Sequence, residues 1–288
     1  VLAFLLLMFC IGNLVLGITW IGRSYPGFFF YGDMVVTDII PGVENGGQLT
    51  RFKDRVTEAD GVRINSPDEL LGITGALPVG TDVEYTIERN GSSFKVGIPV
   101  QTFTARDFIQ MFGVIFLMGA VFFVIGAIVL RTKPNARESR AFFLFCAAIC
   151  VWFTGSFDAQ ASHVMEQLIF FAWVFSPVAG IHLMFIFPSA TRIKASAQNI
   201  ISLVFLFISA MLFILQFIFF HSYDVWKYIN TATWIYVVLS TAIFPASSLM
   251  TYLRPASALA KQRAQIILLG CIFGLLIPAL AATGITVF

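Results

Sequence analysis

The sequence contains few charged residues, and this shortage excludes an ordinary soluble globular protein. Only 12% of the 288 residues are Asp, Glu, Lys or Arg, whereas soluble domains carry about 25%. Hydrophobic residues make up 58% of the chain, and 32 residues are Phe. A chain of this composition is expected to lie in a lipid bilayer, so the bilayer is its first predicted partner.

The chain also lacks an excess of charge of one sign. Its 18 Lys and Arg residues nearly balance its 16 Asp and Glu residues. A protein that binds nucleic acid usually presents a broad basic surface to the phosphates, and the overall balance gives no such surface. Nucleic acid is therefore not an expected partner.

Cysteine is scarce, and its positions do not indicate a disulfide framework. The four cysteines are Cys10, Cys146, Cys150 and Cys271, and each lies in an apolar run. Their usage therefore does not indicate the redox compartment. Cys146 and Cys150 have helical spacing, but no His or carboxylate lies near them in sequence, so helix packing explains them better than a metal site. We expect no metal and no cofactor.

Motifs for catalysis within a membrane are missing as well. A zinc metalloprotease needs two His flanking a Glu on one helical turn, whereas His163-Val164-Met165-Glu166 has one His. No apolar run contains Gly-x-Ser-x-Gly. Pro245 and Pro278 interrupt two runs, as broken helices do in transporters, but no acid or base accompanies them. We predict no enzymatic activity in this chain, and transport remains an alternative.

Seven apolar runs are present, and a bilayer-spanning helix needs about 20 such residues. The runs cover residues 1–22, 108–130, 141–157, 167–188, 199–220, 231–253 and 266–288. The first run ends in bulky side chains rather than the small residues of a cleavage site, which favours an uncleaved anchor. We predict a multi-pass α-helical membrane protein with about seven transmembrane helices.

Lys and Arg are concentrated in alternate loops, which predicts the orientation of the helices. The loops 131–140, 189–198 and 254–265 are basic, whereas the intervening loops near Asp158 to Glu166 and His221 to Asn230 hold only Lys227. Because basic loops resist translocation, we place these three loops and the N-terminus in the cytoplasm, in an inner or plasma membrane. Seven helices would leave Phe288 outside, so a cytoplasmic output domain would require an eighth helix in a longer protein.

Acidic residues are concentrated in one stretch of ordinary soluble composition. Twelve of the 16 lie between Asp33 and Asp107, and this stretch has no cysteine. We therefore predict three parts: an anchor helix at 1–22, a small extracytoplasmic α+β domain with short linkers at 23–107, and a six-helix transmembrane domain at 108–288.

Local patterns in this domain predict a hairpin and a helix. Apolar residues alternate with polar ones over 83–88 and again over 94–98, with Asn90-Gly91 supplying the tight turn. Ser66 is a favourable N-cap, Pro67 suits the first helical position, and Glu69 completes the capping pattern. We expect a helix from there to about Ala76.

The order of short motifs in this domain resembles bacterial PDZ domains, such as those of HtrA-type proteases, over residues 28–100. The motifs are Val36-Thr37-Asp38-Ile39-Ile40-Pro41-Gly42, Asp54-Arg55-Val56, Asp60-Gly61-Val62, Asn65-Ser66-Pro67-Asp68-Glu69-Leu70 and Pro78-Val79-Gly80-Thr81. The resemblance implies that an extended or C-terminal peptide pairs beside the strand at 34–40. It assigns the groove to Phe30, Met34, Val35, Val36, Thr37, Asp38, Leu70 and Ile73. The alternative is a closed groove in a domain that packs on loops.

The whole arrangement resembles the N-terminal sensor region of ComP-like bacterial histidine kinases and related signalling proteins. Pro177, His182 and Phe187-Pro188 resemble a pattern of these regions. The resemblance implies a sensor for a peptide or small ligand in a two-component system, with a kinase, phosphatase or cyclase output domain outside this chain. A protease-associated scaffold or a transporter is the alternative, and homodimerisation is left open.

Two residues in the predicted helix at 167–188 are candidates for function inside the membrane. An ionisable side chain such as His182 is costly there and is treated as functional by default, although a hydrogen bond near the inner interface is the alternative. Pro177 removes an amide from the helix and predicts a kink. His163 and Glu166 fall in a predicted outer loop, where solvation explains them.

Overall fold

A computed structural model of the protein describes residues 1–43, 45–187, 194–255 and 257–271. The helices are α1 (Leu2–Trp20), α2 (Pro67–Ala76), α3 (Ala105–Phe108), α4 (Val114–Thr132), α5 (Arg137–Thr154), α6 (Glu166–Ile186), α7 (Ala195–Ile218), α8 (Tyr223–Leu253) and α9 (Ala258–Cys271). The strands are β1 (Ser24–Tyr25), β2 (Phe28–Phe30), β3 (Val36–Ile39), β4 (Arg55–Ala59), β5 (Val62–Arg63), β6 (Asp82–Arg89), β7 (Ser92–Pro99) and β8 (Gln101–Thr102). A π-helical turn at Ile109–Gly113 joins α3 to α4, and another at Asp158–Ser162 lies between α5 and α6.

Five helical segments in the described part of the chain are long and apolar enough to cross a membrane: α1, the continuous stretch Ala105–Thr132, α6, α7 and α8. The predicted run at 141–157 forms α5, which is not among the five and carries Arg137, Glu138 and Arg140 near its start. The predicted run at 266–288 lies mostly outside the described residues. The chain is thus a mostly helical protein with several candidate membrane spans and a small β-rich domain, which we call the β domain, between α1 and α3.

The β domain is built around a four-stranded antiparallel sheet in the order β5-β4-β6-β7. The predicted hairpin is confirmed, since β6 and β7 pair from Asp82 opposite Pro99 to Arg89 opposite Ser92. Asn90 and Gly91 form its turn with φ of 51° and 77°, a conformation that these two residues adopt more readily than others.

The predicted helix of this domain is confirmed as α2. Ser66 caps it by accepting a hydrogen bond from the Glu69 N–H at 3.4 Å, and Pro67 is its first residue. The Glu69 carboxylate accepts from the Asn65 N–H at 2.7 Å, one residue before the cap. Leu70 is fully buried in the core between helix and sheet, which fixes the face that α2 presents to the strands.

The two chain segments that link the β domain to the helices pair with each other. β1 and β8 are antiparallel, with Ser24 opposite Thr102. Beyond them, the Gly22 N–H donates to the Phe103 carbonyl at 2.8 Å, and the Phe103 N–H donates to the Arg23 carbonyl at 2.9 Å. α3 follows at once, because Thr104 and Asp107 form a capping box. The short linkers are therefore a continuation of the sheet structure toward the helices.

Candidate functional site at the contact of the β domain with the helices

The turn between β2 and β3 carries the β domain onto the helices. The Tyr31 N–H donates to the Val35 carbonyl at 3.0 Å, and the Met34 N–H donates to the Tyr31 carbonyl at 2.8 Å. Met34 closes the turn with φ of 69°, an uncommon conformation for a side chain of its size. The turn thereby presents Tyr31, Gly32, Asp33 and Val35 to the ends of α6 and α8. We call these helix ends the domain-side end of the bundle.

Glu166, the first residue of α6, binds the backbone of this turn. The Gly32 N–H donates to both of its carboxylate oxygens, at 3.1 and 3.2 Å, and the Glu166 side chain is only 6% exposed. A carboxylate at a helix N-terminus is favoured by the helix dipole. A Cβ atom on Gly32 would lie 2.5 Å from Glu166 Oε2, so only glycine permits this close approach.

His163 lies beside this contact and is itself 9% exposed. Its Nδ1 is 3.5 Å from Glu166 Oε2, its ring centroid is 5.3 Å from that of Phe30, and among the described residues neither ring nitrogen has a hydrogen-bond partner. His163 has φ of 56°. The Asp158 carboxylate holds this bend by accepting from the Val164 and Met165 N–H groups at 3.1 and 2.6 Å.

Asp33 is the second buried carboxyl at the contact. One oxygen accepts from the Val35 N–H at 3.1 Å, and the other has no partner in the part of the chain that the structure describes. Burial raises the pKa of Asp33 well above its usual value, and the nearby Glu166 charge raises it further. The Val35 N–H and the charge of Arg55 lower the pKa only in part. The protonated form of Asp33 is therefore the one that fits this site.

Aromatic contacts flank the Gly32–Glu166 contact on the side of α6 and α8. The Tyr31 ring meets Phe170 and Trp226 edge to face, with centroids 5.2 and 6.0 Å apart. Val35 is completely buried in the same cluster. The Tyr223 hydroxyl, at the start of α8, donates to the Lys53 carbonyl of the β domain. Helices α6 and α8 thus pack against the turn, and α8 also binds the β domain through the hydrogen bond to Lys53.

A second aromatic cluster surrounds the paired linkers. Phe29 of β2 meets Phe112 at 5.0 Å, and Phe112 meets Phe157 at 5.1 Å. Trp20, at the end of α1, contacts both Phe157 and Phe103 edge to face. Edge-to-face aromatic pairs add about 0.5–1.5 kcal/mol beyond burial. The β domain is therefore held at two places, and both use the β2–β3 hairpin.

The predicted peptide-binding residues lie mostly in the core of the β domain. Phe30, Met34, Val36 and Leu70 are buried together, and Ile73 packs against them. In the structure the strand at Met34 to Asp38 has a neighbour on each side. It pairs with β2 on one side, and on the other the Val36 N–H donates to the Asp54 carbonyl while its carbonyl accepts from Phe52. A peptide beside it would have to displace one of these neighbours.

The remaining predicted groove residues are also engaged or covered. Thr37 is 3% exposed and Val35 is in contact with the helices. Asp38 forms an ion pair with Arg51 at 2.5 Å. Burial raises the pKa of Asp38, although Arg51 counteracts this. Binding of a peptide at these residues remains a prediction.

A cleft does exist between β2 and α2, and this chain fills it. Among the described strands β2 pairs only with β3, so its other edge has no strand beside it. The residues of β2 and Leu71 of α2 surround a small space together with Trp20 and with Gln160 and Ala161 of the π-helical turn between α5 and α6. The space between these residues has no room for a water molecule. A ligand could enter only if the turn moved away.

The two predicted membrane residues of α6 have different surroundings. Pro177 cannot donate to the Trp173 carbonyl, and the Ser176 hydroxyl takes that place at 2.8 Å. The next carbonyl, that of Val174, accepts from Ser209 of α7 at 2.8 Å. Pro177 therefore marks a place where α6 is tied to α7. His182 lies on an exposed face one turn before the end of α6, so it does not join this network.

Sequence reasoning missed the residues at the centre of the contact. Gly32 and Asp33 received no role, and His163 and Glu166 were explained by solvation. The available signal was the position of a Glu at the start of an apolar helix, next to a His, in a chain with few charges. The part of the chain described by the structure contains no group of three or more His, Cys, Asp or Glu that could hold a metal ion.

Comparison with known proteins adds no identification. No family model matches the chain, and neither a characterised protein nor a solved structure matches it significantly.

Proposed function

We propose that this chain is a membrane-embedded sensor module of a bacterial signalling protein. In this proposal a PDZ-like β domain outside the cell detects an external peptide or small ligand, and about seven transmembrane helices relay the change to a cytoplasmic output domain. The observation that supports it is the contact of the Gly32 N–H with both oxygens of Glu166. Through this contact the β domain holds the first residue of α6.

The packing around this contact supports relay rather than simple tethering. α6 packs on α5, α7 and α8, so a displacement of its first residue affects three neighbours. The paired linkers, with the Phe103 N–H bonded to Arg23, restrict independent rotation of the β domain about α1 and α3. A ligand that binds the docked and undocked arrangements with different affinity would then shift the helices.

A peptide ligand would compete with part of this chain. The cleft between β2 and α2 is the place where an extended segment could add to a sheet edge, and Gln160 and Ala161 now face it. Entry of the ligand would require this turn to withdraw, and the turn is continuous with α5 and α6. The proposal therefore connects binding in the cleft to movement of the same helices.

The substitution Gly32→Ala tests the relay. The new methyl group collides with Glu166 Oε2, whereas in Gly47→Ala the Cβ meets no described atom within 4 Å. Spin labels at Lys133 and Leu253, at the opposite end of the bundle, should report a distance change of about 1–2 Å in Gly32→Ala, as helices shift in known switches. Gly47→Ala should leave the distance unchanged.

The whole protein in lipid nanodiscs should be used, with the native cysteines replaced. A Gly32→Ala variant whose domain moves, as shown by labels at Val62 and Tyr228, without any change between Lys133 and Leu253 would refute the relay.

A further inference from the structure

The contact between the β domain and α6 brings four ionisable groups from three places in the chain into one site. Asp33 comes from the β2–β3 turn, Arg55 from β4, and His163 and Glu166 from the start of α6. Arg55 Nε donates to the Asp33 carbonyl at 3.2 Å, so this cation is directed at the backbone of the turn. We call these four residues the charge cluster.

Of the other described polar groups near the cluster, the Asp158 carboxylate accepts from the Val164 and Met165 N–H groups. Burial, together with the charges of Glu166, Asp33 and Asp38, raises the pKa of Tyr31, which therefore stays neutral near pH 7. From the start of α8, Tyr223 bonds to the Lys53 carbonyl. His221 lies behind Phe220, with ring centroids 5.3 Å apart. Protonation of the cluster itself is therefore what changes its charge.

A proton on Asp33 removes a conflict between two carboxylates. If both Asp33 and Glu166 are ionised, two negative charges lie in a buried contact, and one Asp33 oxygen has no described donor. Such an uncompensated buried charge is costly. A negative charge is stabilised better on Glu166 than on Asp33, because Glu166 accepts from the Gly32 N–H at 3.1 and 3.2 Å and begins a helix.

A proton on His163 acts in the same direction. The imidazolium would place a positive charge 3.5 Å from Glu166 Oε2, in a site where both side chains are less than 10% exposed. Opposite charges at this distance attract strongly when water is largely excluded. A positive charge on His163 would therefore strengthen the contact with Glu166, whereas a negative charge on Asp33 would weaken it.

We propose that the charge cluster is a proton-binding site that controls docking of the β domain: protons strengthen the docked state, and their loss releases it. This names the proton as a signal for the sensor module and rests on that proposed function. Docking free energy from Asp33 is complete below the ordinary pKa of an Asp, about 3.9, and is lost as the pH rises through the raised value.

The experiment measures the distance between spin labels at Val62 on β5 and Tyr228 on α8, both exposed, in nanodiscs from about pH 5.5 to about pH 8.5. Between the ordinary pKa of Asp33 and its raised value, the ratio of docked to undocked protein should fall about tenfold for each unit of pH. Asp33→Asn keeps the acceptor for Val35 without the charge, and it should stay docked across the range.

Glu166→Gln separates the cluster from general pH effects, because it removes the negative charge that disfavours ionisation of Asp33. It should be less docked at acid pH and respond to pH less steeply than the unchanged protein. A docked fraction that is constant with pH in the unchanged protein would refute the proposal, as would a full response in Asp33→Asn. The relay seen with Gly32→Ala does not depend on pH, so it could still hold if proton control failed.

Discussion

Helix α6 and the stretch Ala105–Thr132 are both apolar enough to cross a membrane, yet they are buried to very different degrees. In the most apolar part of α6, 67% of the residues are buried inside the protein, compared with 11% in Ala105–Thr132. α7 and α8 resemble the second case, at 17% and 22%. α6 is thus the most buried of the five candidate spans, and the other four present most of their surface to the surroundings.

This difference indicates which helix would pass a movement on to its neighbours. A helix surrounded by protein on most sides cannot shift without moving its neighbours, since packed interiors have few voids. α6 also begins with Glu166 at the β domain and contains Pro177, where Ser209 of α7 bonds to the Val174 carbonyl. A helix that faces lipid over most of its surface can be altered there with little consequence.

The largest expected effect comes from truncating one aromatic side chain in each class of helix. Trp173 of α6 is 3% exposed, and Phe207 of α7 is 69% exposed. Trp173→Ala should lower the free energy of unfolding by about 3–5 kcal/mol, because a cavity remains, whereas Phe207→Ala should change it by less than about 1 kcal/mol. Unfolding in mixed micelles measures both. Equal losses in the two variants would contradict the assignment of α6 as the most buried span.

A smaller effect is expected where Ala105–Thr132 does touch the bundle. Gly119 is one of its few buried residues, and a Cβ there would lie 2.7 Å from Thr154 Cγ2 and 3.0 Å from the Thr154 backbone nitrogen. Gly119→Leu should therefore separate α4 from α5 and cost about 1–3 kcal/mol, as overpacking does. In Gly12→Leu of α1 the Cβ meets no described atom within 4 Å.

The same unfolding assay compares the two glycine variants. If Gly12→Leu were as destabilising as Gly119→Leu, then the close approach of α4 and α5 would not be the cause.

The sequence allowed prediction of those features that depend on neighbours along the chain. The turn at Asn90-Gly91 and the cap at Ser66 were predicted because each depends on backbone preferences of a few residues. Apolar runs gave the five candidate spans, since length and composition suffice for them. Burial of α6 relative to the others could not be predicted, because an apolar surface suits both lipid and protein.

The site could not be predicted for a related physical reason. Gly32 and Glu166 are far apart in the chain, and their contact depends on how the β domain docks. A carboxylate beside a predicted helix start is usually solvated, so the position of Glu166 near His163 was only a weak signal of burial. The pairing of the strand at Met34 to Asp38 with the segment around Phe52 to Asp54 could not be predicted, because it leaves no periodic pattern in the sequence.

The smallest expected effect concerns α1, whose span is 22% buried but which contacts the bundle at Cys10. The Sγ atoms of Cys10 and Cys150 of α5 are 3.4 Å apart, so a small movement would bring them to bonding distance. Copper phenanthroline should oxidise the two thiols to a disulfide, taking up two electrons as two protons leave. Mass spectrometry should find this cross-link in the unchanged protein and lose it in Cys150→Ala, where Cys146 remains as the matched alternative. A link between Cys10 and Cys146 instead would show that α1 contacts a different face of α5. The surface of α1 described as buried would then be the wrong one.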